Sequence, residues 1–263
     1  MDSASTSHTA PHTVPTSLTP TQLRRLGDYL EDKCLELTRG VRKRNEPDAP
    51  YRTLSAYVSA ASSLVTMALL IPPVETSASI RTSWLLRITG DIFEDIPAYT
   101  LGSTFIPPTD PPPDPTEDDG ELNPPQMTLT DEGLSTLEEV FQLLEKIDEG
   151  WCAVIRNERW DPALNHGIFS HSPTPGDPIQ RPADPPGSGA FSVTDSTRLR
   201  SLIISGKDEF DDWLAEQGGA SNFEVADRSI RVMSHTLREI GQAIPVSVQS
   251  EPLGSDDSDS DSI

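Results

Sequence analysis

Apolar residues recur along this chain at steps of three and four, the spacing that keeps side chains on one face of an α-helix. Leu23, Leu26, Leu30, Cys34, Leu37 and Val41 draw the first such stripe. Thr19 stands ahead of it as a cap, Pro20 suits the first helical position, and Gln22 completes a Thr-x-x-Gln capping box. Pro47 and Pro50 close the segment. A third helix is expected to open near Thr76 or Ser77 and carries Ile80, Trp84, Ile88, Ile92 and Ile96, four residues apart, with Leu85 broadening the stripe. A fourth follows Thr130 with Leu134, Leu137, Phe141, Leu144, Trp151 and Ile155, Ile147 and Val154 alongside, and Gly150 as a weak spot. A fifth begins near Thr194 or Asp195 with Leu199, Ile203, Phe210, Trp213 and Leu214, and Gly206 within it marks a kink or a short strand. A sixth opens on a Ser221–Glu224 capping box and runs through Ala226, Ile230, Met233, Leu237, Ile240 and Ile244.

The second stretch, Leu54 to Ile71, is of another kind. Thirteen of its 18 residues are apolar and none is charged. That is about the shortest length for a membrane span, and Arg42, Lys43 and Arg44 lie upstream as a positive-inside flank would. Against a span stand four serines and a threonine, Ser55, Ser59 and Ser63 sharing one face, and the immediate stop at Pro72 and Pro73. The other five helices are amphipathic and need something to pack on, so this one is expected at the centre of a bundle.

No internal repeat and no strand-rich region is visible. The predicted class is all-α, an irregular helical bundle of about six helices with long disordered Pro-rich loops and tails. Residues 1–18 form a disordered tail, 19–96 three helices, 97–128 an acidic Pro-rich linker or loop, and 129–160 a long helix. Residues 161–193 form a Pro-rich loop, 194–245 two helices packing with 19–160 in one bundle, and 246–263 an acidic Ser-rich disordered tail. Proline-rich, acidic segments bury too little apolar surface to offset the entropy of ordering them.

Charge narrows the partners. The 263 residues carry a formal net charge of −22. Phosphate binding needs a cationic footprint, so nucleic acid is disfavoured as the main partner, and so is an anionic membrane surface. A protein partner with a basic or helical docking surface fits better. Near-heptad stripes in the fourth and sixth helices also offer a route to a homodimer. Cys34 and Cys152 read as small core hydrophobes in a reducing compartment. With no signal or transit pattern at the start, the expected location is cytoplasmic or nuclear.

Motifs for chemistry fail on inspection. "SGKD" at Ser205 to Asp208 lacks the hydroxyl and first glycine of a phosphate loop. His8 and His12 have metal-like spacing but are a lone pair in the tail, short of four ligands, and neither His166 and His171 in the Pro-rich loop nor His235 completes a set. "DSDSDS" lacks the central glycine of a calcium loop. No catalytic residue, metal or cofactor is therefore assigned, and the chain is read as not an enzyme. An enzyme whose acidic site assembles in space stays open as an alternative, as does a single-pass membrane protein anchored by residues 54–71.

What remains points to interaction. Arg39, Arg42, Lys43 and Arg44 form a candidate docking patch, although a basic helix end complements the helix dipole in any case. Ser255, Ser258 and Ser260 lie in the acidic tail and resemble sites for acid-directed kinases, while Ser172 and Thr174 precede prolines. "IPVSV" from Ile244 to Val248 resembles a SUMO-interacting motif, with the end of a helix as the plainer reading. The expected function is a non-catalytic protein–protein interaction module, an adaptor or a subunit of a larger complex, open to regulation by tail phosphorylation.

Overall fold

The computed structural model describes residues 17–106, 126–168 and 191–243. The described chain is an irregular helical bundle with very little strand. It holds seven α-helices: α1 Pro20–Arg42, α2 Leu54–Leu69, α3 Glu75–Asp95, α4 Asp131–Ile155, α5 Val193–Glu216, α6 Phe223–Arg231 and α7 Ser234–Ala243. Helix α2 packs on α1, α3 and α4; α4 carries α7 on another side; α3 packs on α5. One continuous core joins them, with Leu30, Val65, Ile92, Ile147, Trp151, Phe210 and Ile240 among its buried residues.

The first helix starts as its letters predict. Thr19 N donates to Gln22 Oε1 at 2.8 Å, and Gln22 N donates back to Thr19 Oγ1 at 3.3 Å. Leu30, Cys34, Leu37 and Val41 go into the core, while Leu23 and Leu26 stay half-buried. Helix α3 differs at its start. It opens at Glu75 behind Val74, which offers no side-chain cap. Ser77, expected as a cap, instead donates to the Pro72 carbonyl at 2.7 Å, which fixes the turn between α2 and α3.

Helix α2 is less enclosed than its composition predicts. Tyr57, Ala61, Leu64, Val65 and Ala68 are buried, but Ser59 and Ser63 are exposed and Ser55 and Ser62 half-buried. Its serine face borders solvent. Among the described residues, no helix is long and apolar enough to cross a membrane.

Both internal glycines of concern sit at close crossings. Leu69 Cδ1 lies 2.8 Å from where a Cβ on Gly150 would be, and Phe93 Cγ lies 2.5 Å from the same point on Gly206. Helix α5 therefore runs unbroken through Gly206, with neither kink nor strand. Its start is a box of Ser192 and Asp195, not a cap at Thr194 or Asp195.

The expected sixth helix is two helices. Met233 takes a left-handed backbone (φ 59°) and separates α6 from α7. The cap of α6 is Asn222, whose side-chain oxygen accepts from Glu224 N at 3.0 Å and Val225 N at 3.3 Å, in place of the Ser221–Glu224 box. The cap of α7 comes from α4. Asp148 accepts from His235 N at 3.2 Å and from Thr236 N and Oγ1, both at 2.7 Å. The break also rotates the stripe. Val225 and Ser229 face inward, and Ile230, placed in the inward stripe by its spacing, faces solvent.

Two short antiparallel hairpins complete the fold, and the hydrophobic pattern announces neither. Strand β1 Ser103–Ile106 pairs with β2 Gln126–Leu129, in register Ser103 with Leu129. Strand β3 Arg159–Asp161 pairs with β4 His166–Ile168, in register Trp160 with Gly167, through a turn in which Asn165 has φ 48°. The first lies inside the stretch expected to be linker, and before it Tyr99 and Leu101 are buried against the bundle. Trp213 Nε1 donates to the Tyr99 carbonyl at 2.8 Å, tying this stretch to α5.

Candidate functional site

The basic patch is divided by the fold. Arg39, Arg42 and Lys43 are exposed at the end of α1. Arg44 is half-buried, its guanidinium 5.8 Å from the centre of the Tyr99 ring and donating to the Val41 carbonyl at 3.1 Å. Arg44 therefore serves the core, and Lys43 faces Glu46 at 3.7 Å. The candidate phosphosites Ser172, Thr174, Ser255, Ser258 and Ser260, and the run from Ile244 to Val248, lie outside the described residues.

A polar groove of about 700 Å³ runs between α2 and α4. Ser55, Ser59 and Ser62 line one wall; Glu139, Gln142, Glu145 and Glu149 line the other. Lys146 crosses it, donating to Ser62 Oγ at 2.7 Å. Burial pushes its pKa down. The charges here are largely engaged with each other. Glu145 accepts from Arg228 at 2.8 Å, and Glu149 faces His235 Nδ1 at 3.0 Å and His166 Nδ1 at 3.9 Å. Among the described residues, no three His, Cys, Asp or Glu side chains are arranged to hold a metal ion.

Burial displaces the protonation of a carboxyl and two thiols strongly. Burial pushes the Asp95 carboxyl up to about 6, against the hydrogen bond it accepts from Tyr57 Oη at 3.1 Å. Burial also pushes the thiols of Cys34 and Cys152 up, to about 11 and about 12. Both cysteines are buried and free, which makes them poor nucleophiles.

The surface feature with the clearest consequence is α6. Contacts from α4 and α5 hold its inner side. Arg228 stacks over the Phe141 ring at 4.7 Å and bonds both Glu138 and Glu145 of α4, one above the other. Those hydrogen bonds raise the Arg228 pKa and pull Glu138 down. Lys207 of α5 donates to the Ser229 carbonyl at 2.7 Å, and Ser229 Oγ donates to Asp211. With the inner side fixed, the outer side displays Phe223, 86% exposed, and Ile230, 72% exposed. Seven residues apart, they share one face and sit about 10.5 Å apart along the helix axis. Glu224 stands exposed beside them, and Asp227 pairs with Arg231 at 2.9 Å.

Sequence reasoning missed this face. Phe223 lies within the expected Ser221–Glu224 box and has no role in it, and the stripe places Ile230 inward. The available signal is the seven-residue spacing of Phe223 and Ile230, which puts both on one face, away from the buried Val225 and Ser229.

The fold and its surfaces define a helical-bundle protein with one firmly held, outwardly apolar helix. No protein-family model, no curated protein and no solved structure matches this chain.

Proposed function

We propose that this chain is a non-catalytic protein–protein interaction module, an adaptor or a subunit of a larger complex, that docks its partner on the outer face of α6. The observation that carries the reading is the pair Phe223 and Ile230, solvent-exposed on a helix fixed from both α4 and α5. Scattered exposed apolar residues are ordinary, but two aligned on a rigid helix form an anchor pair of the kind that helix-in-groove partners use. The partner is an amphipathic helix with apolar residues two turns apart and basic residues flanking them. The exposed Glu224 and a net charge of −22 favour that basic flank. Phosphorylation at Ser255, Ser258 or Ser260 adds negative charge and strengthens the same attraction. Two buried free thiols fit a reducing compartment, cytoplasm or nucleus.

The test is fluorescence anisotropy with a labelled 18-residue Leu/Lys amphipathic peptide, against a scrambled peptide of equal charge. The expected result is tighter binding of the patterned peptide, weakened about tenfold by each of Phe223→Ser and Ile230→Ser, since losing about 1.4 kcal/mol of apolar burial is tenfold. Equal binding of both peptides, or no effect of either substitution, overturns the reading.

A further inference from the structure

The chain has four lysines, Lys33, Lys43, Lys146 and Lys207, and the fold sets one of them apart. Lys33 pairs with Glu36 at 2.7 Å, Lys43 with Glu46 at 3.7 Å and Lys207 with Asp211 at 3.0 Å. A carboxylate beside an ammonium holds the proton on it. Lys146 forms no ion pair among the described residues. Its Nζ donates to Ser62 Oγ at 2.7 Å and lies 3.5 Å from Thr66 Oγ1, both on α2. An ionised carboxylate only accepts, whereas a hydroxyl accepts from an ammonium and donates to a free amine. The surroundings of Lys146 therefore accommodate the neutral amine as well as the charged one. Burial acts in the same direction and favours the neutral form.

A neutral lysine is a nucleophile, and this one stands beside open space. Lys146 and Ser62 both line the groove of about 700 Å³ between α2 and α4, a volume that suits a small organic molecule. Val58 and Leu143 give that groove apolar lining for an alkyl group. Its charge selects among ligands. Glu139, Glu145 and Glu149 line it, and Lys146 is the one cation among its lining residues. An anionic ligand meets repulsion there, and a neutral carbonyl compound does not. Condensation of an amine with an aldehyde gives an imine, whose protonated form keeps the positive charge that the glutamates favour.

We propose that Lys146, in the groove between α2 and α4, is a covalent attachment site for a small neutral aldehyde, held as an imine. Nζ forms a bond to the carbonyl carbon and passes one proton to the carbonyl oxygen, which gives a carbinolamine. The new hydroxyl leaves as water with the second amine proton, and a C=N bond remains. One water is released and nothing is oxidised or reduced. The step is reversible, so occupancy follows the aldehyde concentration. This site does not depend on the partner proposed for the outer face of α6.

The experiment treats the full chain with propanal near neutral pH. Cyanoborohydride supplies hydride to each imine and fixes it as a propylamine, and peptide mass spectrometry follows the four lysines separately. Lys146 is expected to gain its propyl group about fivefold faster than Lys33, Lys43 or Lys207, roughly the factor an exposed ion pair supplies. Glyoxylate is an aldehyde that carries a carboxylate, and with it the preference for Lys146 should disappear. In urea the four lysines should react alike with propanal, because the groove and the ion pairs are gone. Equal rates in the folded chain, faster reaction at another lysine, a preference that persists in urea, or glyoxylate as selective for Lys146 as propanal overturns the proposal.

Discussion

Removing the Asp148 carboxylate is expected to unfasten α7 before the rest of the bundle. Asp148 sits on α4, is buried, and accepts two backbone N–H groups from the first turn of α7 as well as the Thr236 hydroxyl. It acts as an N-cap supplied from another helix. In Asp148→Ala the hydroxyl can turn to the Asp148 carbonyl, already within 3.1 Å. The two backbone donors have no such alternative, and Thr236 is fully buried. Loss of an ordinary N-cap costs about 0.5–2 kcal/mol. Hydrogen bonds to a charged acceptor are worth about 1.5–3 kcal/mol each. Relief of the carboxylate's own desolvation offsets part of this, which leaves about 2–3 kcal/mol. For a chain of this size that lowers Tm by roughly 5–10 °C. Asp148→Asn keeps one acceptor and should lose about half as much. The assay is thermal unfolding followed by circular dichroism, with amide hydrogen exchange to localise the loss. Protection should fall first at the amides of Thr236 to Ile240, while α1 and α3 keep theirs. A loss below about 0.5 kcal/mol, or exchange that rises evenly across the bundle, would refute the reasoning.

Three further outcomes follow from the packing and charge. Gly206→Ala places a Cβ 2.5 Å from the Phe93 ring carbon, so overpacking of about 1–3 kcal/mol should outweigh the gain in helix propensity. Gly27→Ala, with no neighbouring atom within 4 Å, should stabilise the chain by up to about 1 kcal/mol, both read from urea titrations. Asp95 has a folded pKa of about 6, above the ordinary carboxylate value of 3.8, so the folded state holds its proton more tightly. Its contribution is greatest below about pH 4, falls between about 4 and 6, and is flat above. The displacement is worth about 3 kcal/mol in full, but the carboxyl is only half-buried, and solvent screening reduces this to roughly 1 kcal/mol. Asp95→Asn should therefore unfold at higher temperature than the unmodified chain at pH 7 and equal it at pH 4. Asparagine still accepts the Tyr57 hydroxyl, so a deficit at pH 7 would show that the carboxylate helps.

The parts of the fold legible in the sequence are those decided locally. The Thr19–Gln22 box and the Leu30, Cys34, Leu37, Val41 stripe act within one helix, and the structure keeps both. What escaped is decided over long distances. Nothing near Met233 announces a break, because the group that makes it favourable, Asp148, is 88 residues from Thr236. The cost of a left-handed methionine is met by that remote cap. Gly150 and Gly206 look like weak spots in isolation and turn out to be contact points, since only the packed partner shows why a side chain is excluded. The hairpins are too short for an alternation pattern to register. Of the surface, the exposure of Arg39, Arg42 and Lys43 was legible, whereas the outward face of α6 depends on which of its sides α4 and α5 hold.

The account's central claim is that the outer face of α6 is where a basic amphipathic helix lands. Its most direct test is a two-dimensional amide spectrum of the isotope-labelled full chain, titrated with the Leu/Lys peptide. The account predicts that chemical-shift changes concentrate on Asn222 to Arg231 and on the α4 residues beneath, around Glu138 and Phe141. Changes centred on the α2–α4 groove, or spread over every acidic surface, would contradict it.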